Sequence, residues 1–181
     1  MSHTRHRQTG PLAVPCALLT VSDTRTPATD ESGAWLRARL TRGGHEVAAT
    51  AIVRDEPRAV RACLRRWARE GRARVVLITG GTGIAARDRT YEAVAGLLEK
   101  RLDGFGELFR ALSYREIGAA AMLSRAVAGT CRGMVLFAMP GSPAAVRLAV
   151  NRLILPELRH VAGLLAGAPQ RARRAGRTVR R

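Results

Sequence analysis

Four apolar residues running into a cluster of glycines constrain this chain more than any other stretch. Val75-Val-Leu-Ile78 is short, apolar and mostly β-branched, the make-up of a strand buried on both faces. It empties into Thr79-Gly80-Gly81-Thr82-Gly83, where three glycines remove the Cβ atoms that would hold a ligand away from the backbone. A strand ending in such a loop, with a helix soon after, presents several N–H donors at the carboxyl edge of a sheet, where open α/β sheets take anionic ligands. Asp88 and Thr90 add a carboxylate and a hydroxyl close by. A carboxylate beside a phosphate repels it unless a divalent cation lies between them, so the stretch points to a magnesium-assisted phosphate or nucleotide site. The same residues also permit a plain turn, with Asp88 or Thr90 capping the next helix. The run is neither a Walker A motif nor the dinucleotide fingerprint.

The segments around this stretch set its fold. Cys16 to Val21 reads as a first buried strand ending in the polar cluster Ser22-Asp23-Thr24-Arg25. Asp30 and Ser32 are N-cap candidates for a helix to about Arg42, stopped by Gly43-Gly44. His45 to Val53 is a second strand, and Asp55-Glu56-Pro57 opens a second helix with Val60, Cys63, Leu64 and Trp67 on one face and arginines on the other. Strand, helix, strand, helix, strand with short connections predicts a parallel sheet with right-handed crossovers. Beyond the glycines, the sequence predicts helices over Tyr91 to Leu98 and Leu108 to Tyr114. Short antiparallel strands are expected around the Gly129–Gly133 turn, the second being Met134 to Ala138. Met139-Pro140-Gly141 then makes a tight turn into a helix reaching about Arg152, with Ser142 as N-cap and Pro143 in the first position. The start of that helix is a second place for an anion, although a well-capped helix explains the same residues. A short final helix is expected from Pro156 to about Ala162. The whole reads as a flexible basic arm over 1–12, one domain over 13–166 and an Arg-rich tail over 167–181.

Charge narrows the partners. The net charge is +17, but eight arginines belong to the two ends, and 30 of the 31 basic residues are Arg with Lys100 alone as lysine. No zinc finger, helix-turn-helix or aromatic RNA-binding motif accompanies the charge, so no specific nucleic-acid partner is expected beyond salt-sensitive polyanion binding by the tails. No apolar run approaches the ~18–20 residues of a membrane span, and no secretory signal is visible, which predicts a cytoplasmic protein without a membrane partner. Cys16, Cys63 and Cys131 are odd in number, far apart and set among apolar neighbours, and read as buried thiols.

Several motifs now stand in one order. Ser22-Asp23-Thr24, Asp30-x-Ser32-Gly33, Asp55-Glu56, Thr79-Gly-Gly-Thr-Gly83, Arg87-Asp88-x-Thr90, Gly104-Phe-Gly-Glu107, Ser124-Arg125 and Pro140-Gly-Ser-Pro143 together resemble the MoaB/Mog family of molybdenum cofactor biosynthesis proteins, over about residues 14–162. The resemblance implies a three-layer α/β/α fold with a mostly parallel sheet and a short antiparallel extension. It implies a homo-oligomer, a trimer or dimer of trimers, working alongside other proteins of the same pathway. The implied chemistry is Mg2+-dependent transfer of AMP from ATP to the terminal phosphate of molybdopterin, releasing pyrophosphate. Asp55 and Asp88 would be the catalytic carboxylates, with Asp88 also holding magnesium. Ser22, Asp23, Thr79, Gly80, Gly81, Thr82, Gly83, Thr90, Glu107, Ser124, Pro140, Gly141 and Ser142 would contact substrate or nucleotide. Asp55 has an alternative as a helix cap, and for Asp23 and Glu107 a structural role stands level with a site role. The chain departs from the family pattern at Arg89 and Tyr91 and at the Ala85-Ala86 pair, none of which removes a carboxylate or a site glycine. A second function also follows from the resemblance: a non-catalytic molybdopterin- or nucleotide-binding oligomer of the MoaB type, to which Ser113-Tyr-Arg-Glu-Ile-Gly118 leans.

Overall fold

A computed structural model describes residues 10–166. The basic arm, apart from residues 10–12, and the Arg-rich tail lie outside the described residues. Six strands form one mixed sheet in the order β2-β1-β3-β6-β5-β4. These are β1 (Pro15–Val21), β2 (Glu46–Val53), β3 (Val75–Thr79), β4 (Lys100–Arg101), β5 (Val127–Cys131) and β6 (Met134–Met139). The first three and β6 run parallel, whereas β5 and β4 continue the sheet antiparallel.

The sheet is apolar on both faces because it is covered on both. Alternate residues of β1 divide between the two sides: Cys16 and Leu18 join one core, Ala17 and Leu19 the other. The first core receives Leu36 and Leu40 from α1 (Glu31–Arg42) and Phe105 and Phe109 from α4 (Asp103–Ile117). The same face takes Val146 from α5 (Pro143–Ala149) and Leu158 from α6 (Leu155–Ala166). The second core receives Val60, Cys63, Leu64 and Trp67 from α2 (Pro57–Glu70), and Ala93 and Val94 from α3 (Thr90–Ala95). Each fully buried leucine of these stripes contributes about 1.5–3 kcal/mol of transfer free energy. The predicted three-layer α/β/α architecture is the one observed. The three cysteines are free and buried, as their apolar settings imply.

Three elements differ from expectation. The helix expected from Leu108 begins at Asp103, because Gly104 and Gly106 lie within its first turns rather than in a loop. Gly106 is needed there, since a Cβ would stand 2.8 Å from the Ala126 carbonyl oxygen. The short edge strand β4, two exposed residues paired with β5, carries no hydrophobic alternation that could announce it. The expected break before Pro156 is also absent. Val150–Ile154 forms a widened π-type turn that joins α5 to α6, which reaches Ala166. Such a turn accommodates a proline whose ring and missing N–H disrupt regular α-helical bonding.

Candidate functional site

The four parallel strands place their carboxyl ends on one edge of the sheet. The chain leaves β1 through α1 on one face and reaches β3 through α2 on the other, so a crevice opens outside the ends of β1 and β3. Gly80 lies at its floor. Its N–H donates to the Met139 carbonyl at 3.1 Å, its φ is +93°, and a Cβ there would collide with the Val21 carbonyl. A Cβ on Gly141 would stand 3.1 Å from the Gly80 Cα. The exits of β1, β3 and β6 thus meet at one residue that has to be glycine.

Gly81 joins this floor to the end of β2. With φ +61°, it packs where a Cβ would strike Asp55 Oδ2 and Thr90 Oγ1. Asp55 is only 6% exposed. Its Oδ1 accepts from the Thr90 hydroxyl at 3.2 Å and from the Arg89 N–H at 3.3 Å. Asp55 is therefore not the cap of α2; that position belongs to Glu56, whose side chain caps nothing. Thr90, fully buried, positions Asp55 and in this structure has no surface for a ligand of its own.

Asp88 lies in the strap of residues 84–89 between the glycine loop and α3. Its Oδ2 accepts from the Ala85 N–H at 3.1 Å, and its own N–H donates to the Ala85 carbonyl at 2.9 Å. Neither Asp88 nor Thr90 caps α3, which starts after Arg89 without a side-chain cap. Asp23, at the exit of β1, accepts both arms of the Arg87 guanidinium, at 2.7 Å on Oδ2 and 2.9 Å on Oδ1. The same Oδ1 accepts the Asp55 N–H at 3.3 Å. Asp23 thereby ties β1, β2 and the strap together, so its structural role is real. Ser22 accepts the N–H groups of Thr24 and Arg25 at 3.2 and 3.1 Å and shapes the same exit.

The turn after β6 is built locally. Ser142 Oγ accepts the Ala145 N–H at 3.4 Å and Pro143 follows as first helical residue. Ser32, which the sequence offered as a cap, instead donates to the Gly141 carbonyl at 2.9 Å, while Asp30 caps α1 by accepting the Gly33 N–H at 2.9 Å. The N–H groups of Gly81, Thr82, Gly83, Gly141 and Ser142 carry no hydrogen bond among the described residues. Thr79 and Thr82 are buried beside them, and Pro140 is half-buried.

Glu107 and Ser124 do not join this network. Glu107 is exposed on α4, and Ser124 is half-buried ahead of β5. Arg125, the neighbour of Ser124, joins instead. It donates to the Gly83 carbonyl at 3.1 Å, pairs with Glu92, and stacks its guanidinium 4.3 Å above the Tyr91 ring. The unusual Tyr91 thus belongs to the support of the glycine loop. Sequence reasoning passed over Arg87, Arg125 and Ser32 as site residues. The only signal for the two arginines was their adjacency to Asp88 and Ser124.

Electrostatics separates the carboxylates. Burial pushes the Asp55 carboxyl above its ordinary value, the hydrogen bonds from Arg89 and Thr90 oppose this, and the charges of Asp88 and Asp23 add to the rise. Asp23 is held below its ordinary value, chiefly by the Arg87 hydrogen bonds, with burial acting in the opposite sense. A groove of about 930 Å³ between α1 and β2 meets the site at Thr20 and Asp30. Both Asp30 oxygens are already engaged there, by Thr20 at 2.6 Å and by Gly33.

Comparison with known proteins identifies the family. Residues 17–160 match the family model described as a probable molybdopterin binding domain. The chain belongs to that family. A relative from Halalkalibacterium halodurans, molybdenum cofactor biosynthesis protein B, is 51% identical over 162 residues, 89% of this chain and 95% of the relative. Its namesake from Bacillus subtilis is 49% identical over 162 residues, again 89% of this chain and 95% of the relative. A crystal structure of molybdenum cofactor biosynthesis protein B superposes with a TM-score of 0.84 at 50% identity, covering 86% of this chain and 98% of that one. The tungsten cofactor synthesizing protein MoaB from Pyrococcus furiosus gives 0.75 at 38% identity over 83% and 96% of the two chains. The expected MoaB/Mog membership is therefore established, and with it a place among the proteins of molybdenum cofactor biosynthesis. Among the described residues no helix is long and apolar enough to cross a membrane.

Proposed function

We propose that this chain transfers AMP from ATP to the terminal phosphate of molybdopterin and releases pyrophosphate, acting in the cytoplasm as a trimer or dimer of trimers. The observation that carries the reading is the junction of Asp55 with the glycine loop. A nearly buried carboxylate from β2 is locked by Thr90 and Arg89 beneath unpaired N–H groups, and Asp88 is close enough to raise its pKa. In the reaction an oxygen of the pterin phosphate forms a bond to the α-phosphorus, and the bond from that phosphorus to the β-bridging oxygen breaks. The N–H groups of Gly81, Thr82 and Gly83 supply donors for the triphosphate, and those of Gly141 and Ser142 supply donors for the second phosphate. The chain's main contribution is to hold two mutually repelling anions in line.

Asp88 and Asp55 offer oxygens that would hold a magnesium ion. Asp88 Oδ1 and Asp55 Oδ2 accept no hydrogen bond in the structure, leaving one hard oxygen on each carboxylate. Among the described residues no group of three His, Cys, Asp or Glu is arranged to hold a metal by itself. Magnesium, when bound, screens the charge of the reacting phosphates. Pyrophosphate release from ATP and magnesium, with and without molybdopterin, tests the proposal. Release is expected only with molybdopterin, and Asp88→Ala is expected to abolish it while the fold persists. A wild-type protein that binds molybdopterin yet releases nothing would be the non-catalytic binding oligomer.

A further inference from the structure

The acidic lip of the crevice raises a difficulty for any polyphosphate. Asp23, Asp55, Glu56 and Asp88 gather around the exits of β1, β2 and β3. Among the described residues, Arg87 is the one arginine hydrogen-bonded through its side chain to a lip carboxylate. We propose that Arg87 is a polyphosphate-binding residue parked by Asp23: Asp23 holds the guanidinium while the crevice is free, and an incoming triphosphate takes it over. The proposal deepens, and rests on, the reading of the glycine loop as a phosphate site.

Three observations carry it. The pair is bidentate, at 2.7 and 2.9 Å, and the planar fork that matches a carboxylate matches two phosphate oxygens equally well. The pair is also exposed, with 58% of the Arg87 side chain and 34% of the Asp23 side chain accessible to water. Exposed pairs are weak, so exchanging one anion for another costs little. Finally, Arg87 stands at the end of a chain of direct contacts into the site. Asp23 Oδ1 accepts the Asp55 N–H, and Asp55 lies against Gly81, where the unpaired N–H groups begin. The strap carrying Arg87 also carries Asp88 and delivers the Arg89 N–H to Asp55. A guanidinium leaving Asp23 for a triphosphate would therefore stay beside both candidate catalytic carboxylates and offset part of their charge.

A double-mutant cycle on the full chain tests this, with inorganic tripolyphosphate and Mg-ATP as titrants and thermal unfolding as the control for folding. Arg87→Ala is expected to weaken tripolyphosphate binding by about tenfold or more. Asp23→Asn is expected to tighten it several-fold, because the guanidinium is released. That gain should vanish in the Asp23→Asn/Arg87→Ala protein. A uniform electrostatic effect of Asp23 would give the same gain in both backgrounds, and a mere strut would give a loss in both; either result overturns parking. Arg87→Lys, which keeps the charge without the fork, should bind between wild type and Arg87→Ala, and full wild-type affinity in it would overturn the bidentate assignment. The expected cycle, with an Asp23→Asn gain that depends on Arg87, found without pyrophosphate release would uphold parking while the transferase reading falls. Wild-type protein that binds neither titrant would sink both.

Discussion

Two turns on the same edge of the sheet contrast in how they are made. The turn after β6 takes three residues, Pro140 to Ser142, shaped by the Ser142 cap and Pro143 with one long-range bond, from the Ser32 hydroxyl to the Gly141 carbonyl. The one after β3 takes ten, Gly80 to Arg89; Asp88 and Ala85 bond within it, but most of the bonds that shape it come from elsewhere. Asp55 arrives from β2, Asp23 from β1 and Arg125 from ahead of β5. A turn determined mainly by its own residues presents its donors with little help from the rest of the protein. A turn assembled by tertiary bonds couples its donors to carboxylates that follow two other strands, Asp23 after β1 and Asp55 after β2, as a reaction between two anions requires.

The largest effect should come from placing a Cβ in each turn. Gly81→Ala forces an alanine to φ +61° and drives its methyl into Asp55 and Thr90. It should cost about 2 kcal/mol or more and reduce pyrophosphate release by at least about 100-fold. Gly141→Ala meets only Gly80, at 3.1 Å, and should cost about 1 kcal/mol. Thermal unfolding and turnover of both variants check the pair. Equal losses would mean that the β6 turn is as globally constrained as the other.

A second test asks whether Asp55 holds the β3 loop or is held by it. Its folded pKa is raised, so its contribution to stability is fully present below the unfolded value of 3.8 and is lost as pH rises through the folded value. Above that folded value the protein carries the cost of an ionised, buried carboxylate. Asp55→Asn keeps an oxygen for the Thr90 hydroxyl and the Arg89 N–H while removing that charge. It should raise the melting temperature at pH 7, with the gain fading toward pH 3, and lower pyrophosphate release by about 100-fold, the scale of losing one positioned electrostatic group. A lower melting temperature at pH 7 would make Asp55 a strut of the loop.

The same contrast explains what the sequence could and could not announce. Strand β3 and the caps of α1 and α5 follow from neighbours a few residues apart and are legible, as is the presence of the Gly-rich loop, though not the distant bonds that shape it. The dual role of Asp23 was open because its partners, Arg87 and Asp55, lie 64 and 32 residues away. Asp55 kept an alternative as the cap of α2, since nothing near it in sequence reveals the Thr90 hydroxyl 35 residues on. The helical place of Gly106 was hidden for the same reason: a glycine that permits close packing on Ala126 is written like one that breaks a helix. Family resemblance supplied the remaining site residues, yet the arginines that tie the strap and the loop emerge only from the contacts.

The smallest expected effect separates capping from binding at the β6 turn. The hydrogen bond from the Ala145 N–H to Ser142 Oγ is long, at 3.4 Å, and α5 has only seven residues. Ser142→Ala should therefore cost about 0.5–1 kcal/mol, near the low end for lost caps. Ser142→Asp sharpens the result, because aspartate caps as well as serine but brings a negative charge to the helix start. If a substrate phosphate sits on the Gly141 and Ser142 N–H groups, Ser142→Asp should restore the melting temperature and raise KM for molybdopterin severalfold above that of Ser142→Ala. If the turn only starts a helix, the aspartate should restore the melting temperature and leave KM where the alanine left it. The two carboxyl-end turns would then differ in task as well as construction, with substrate contact confined to the one that tertiary bonds assemble.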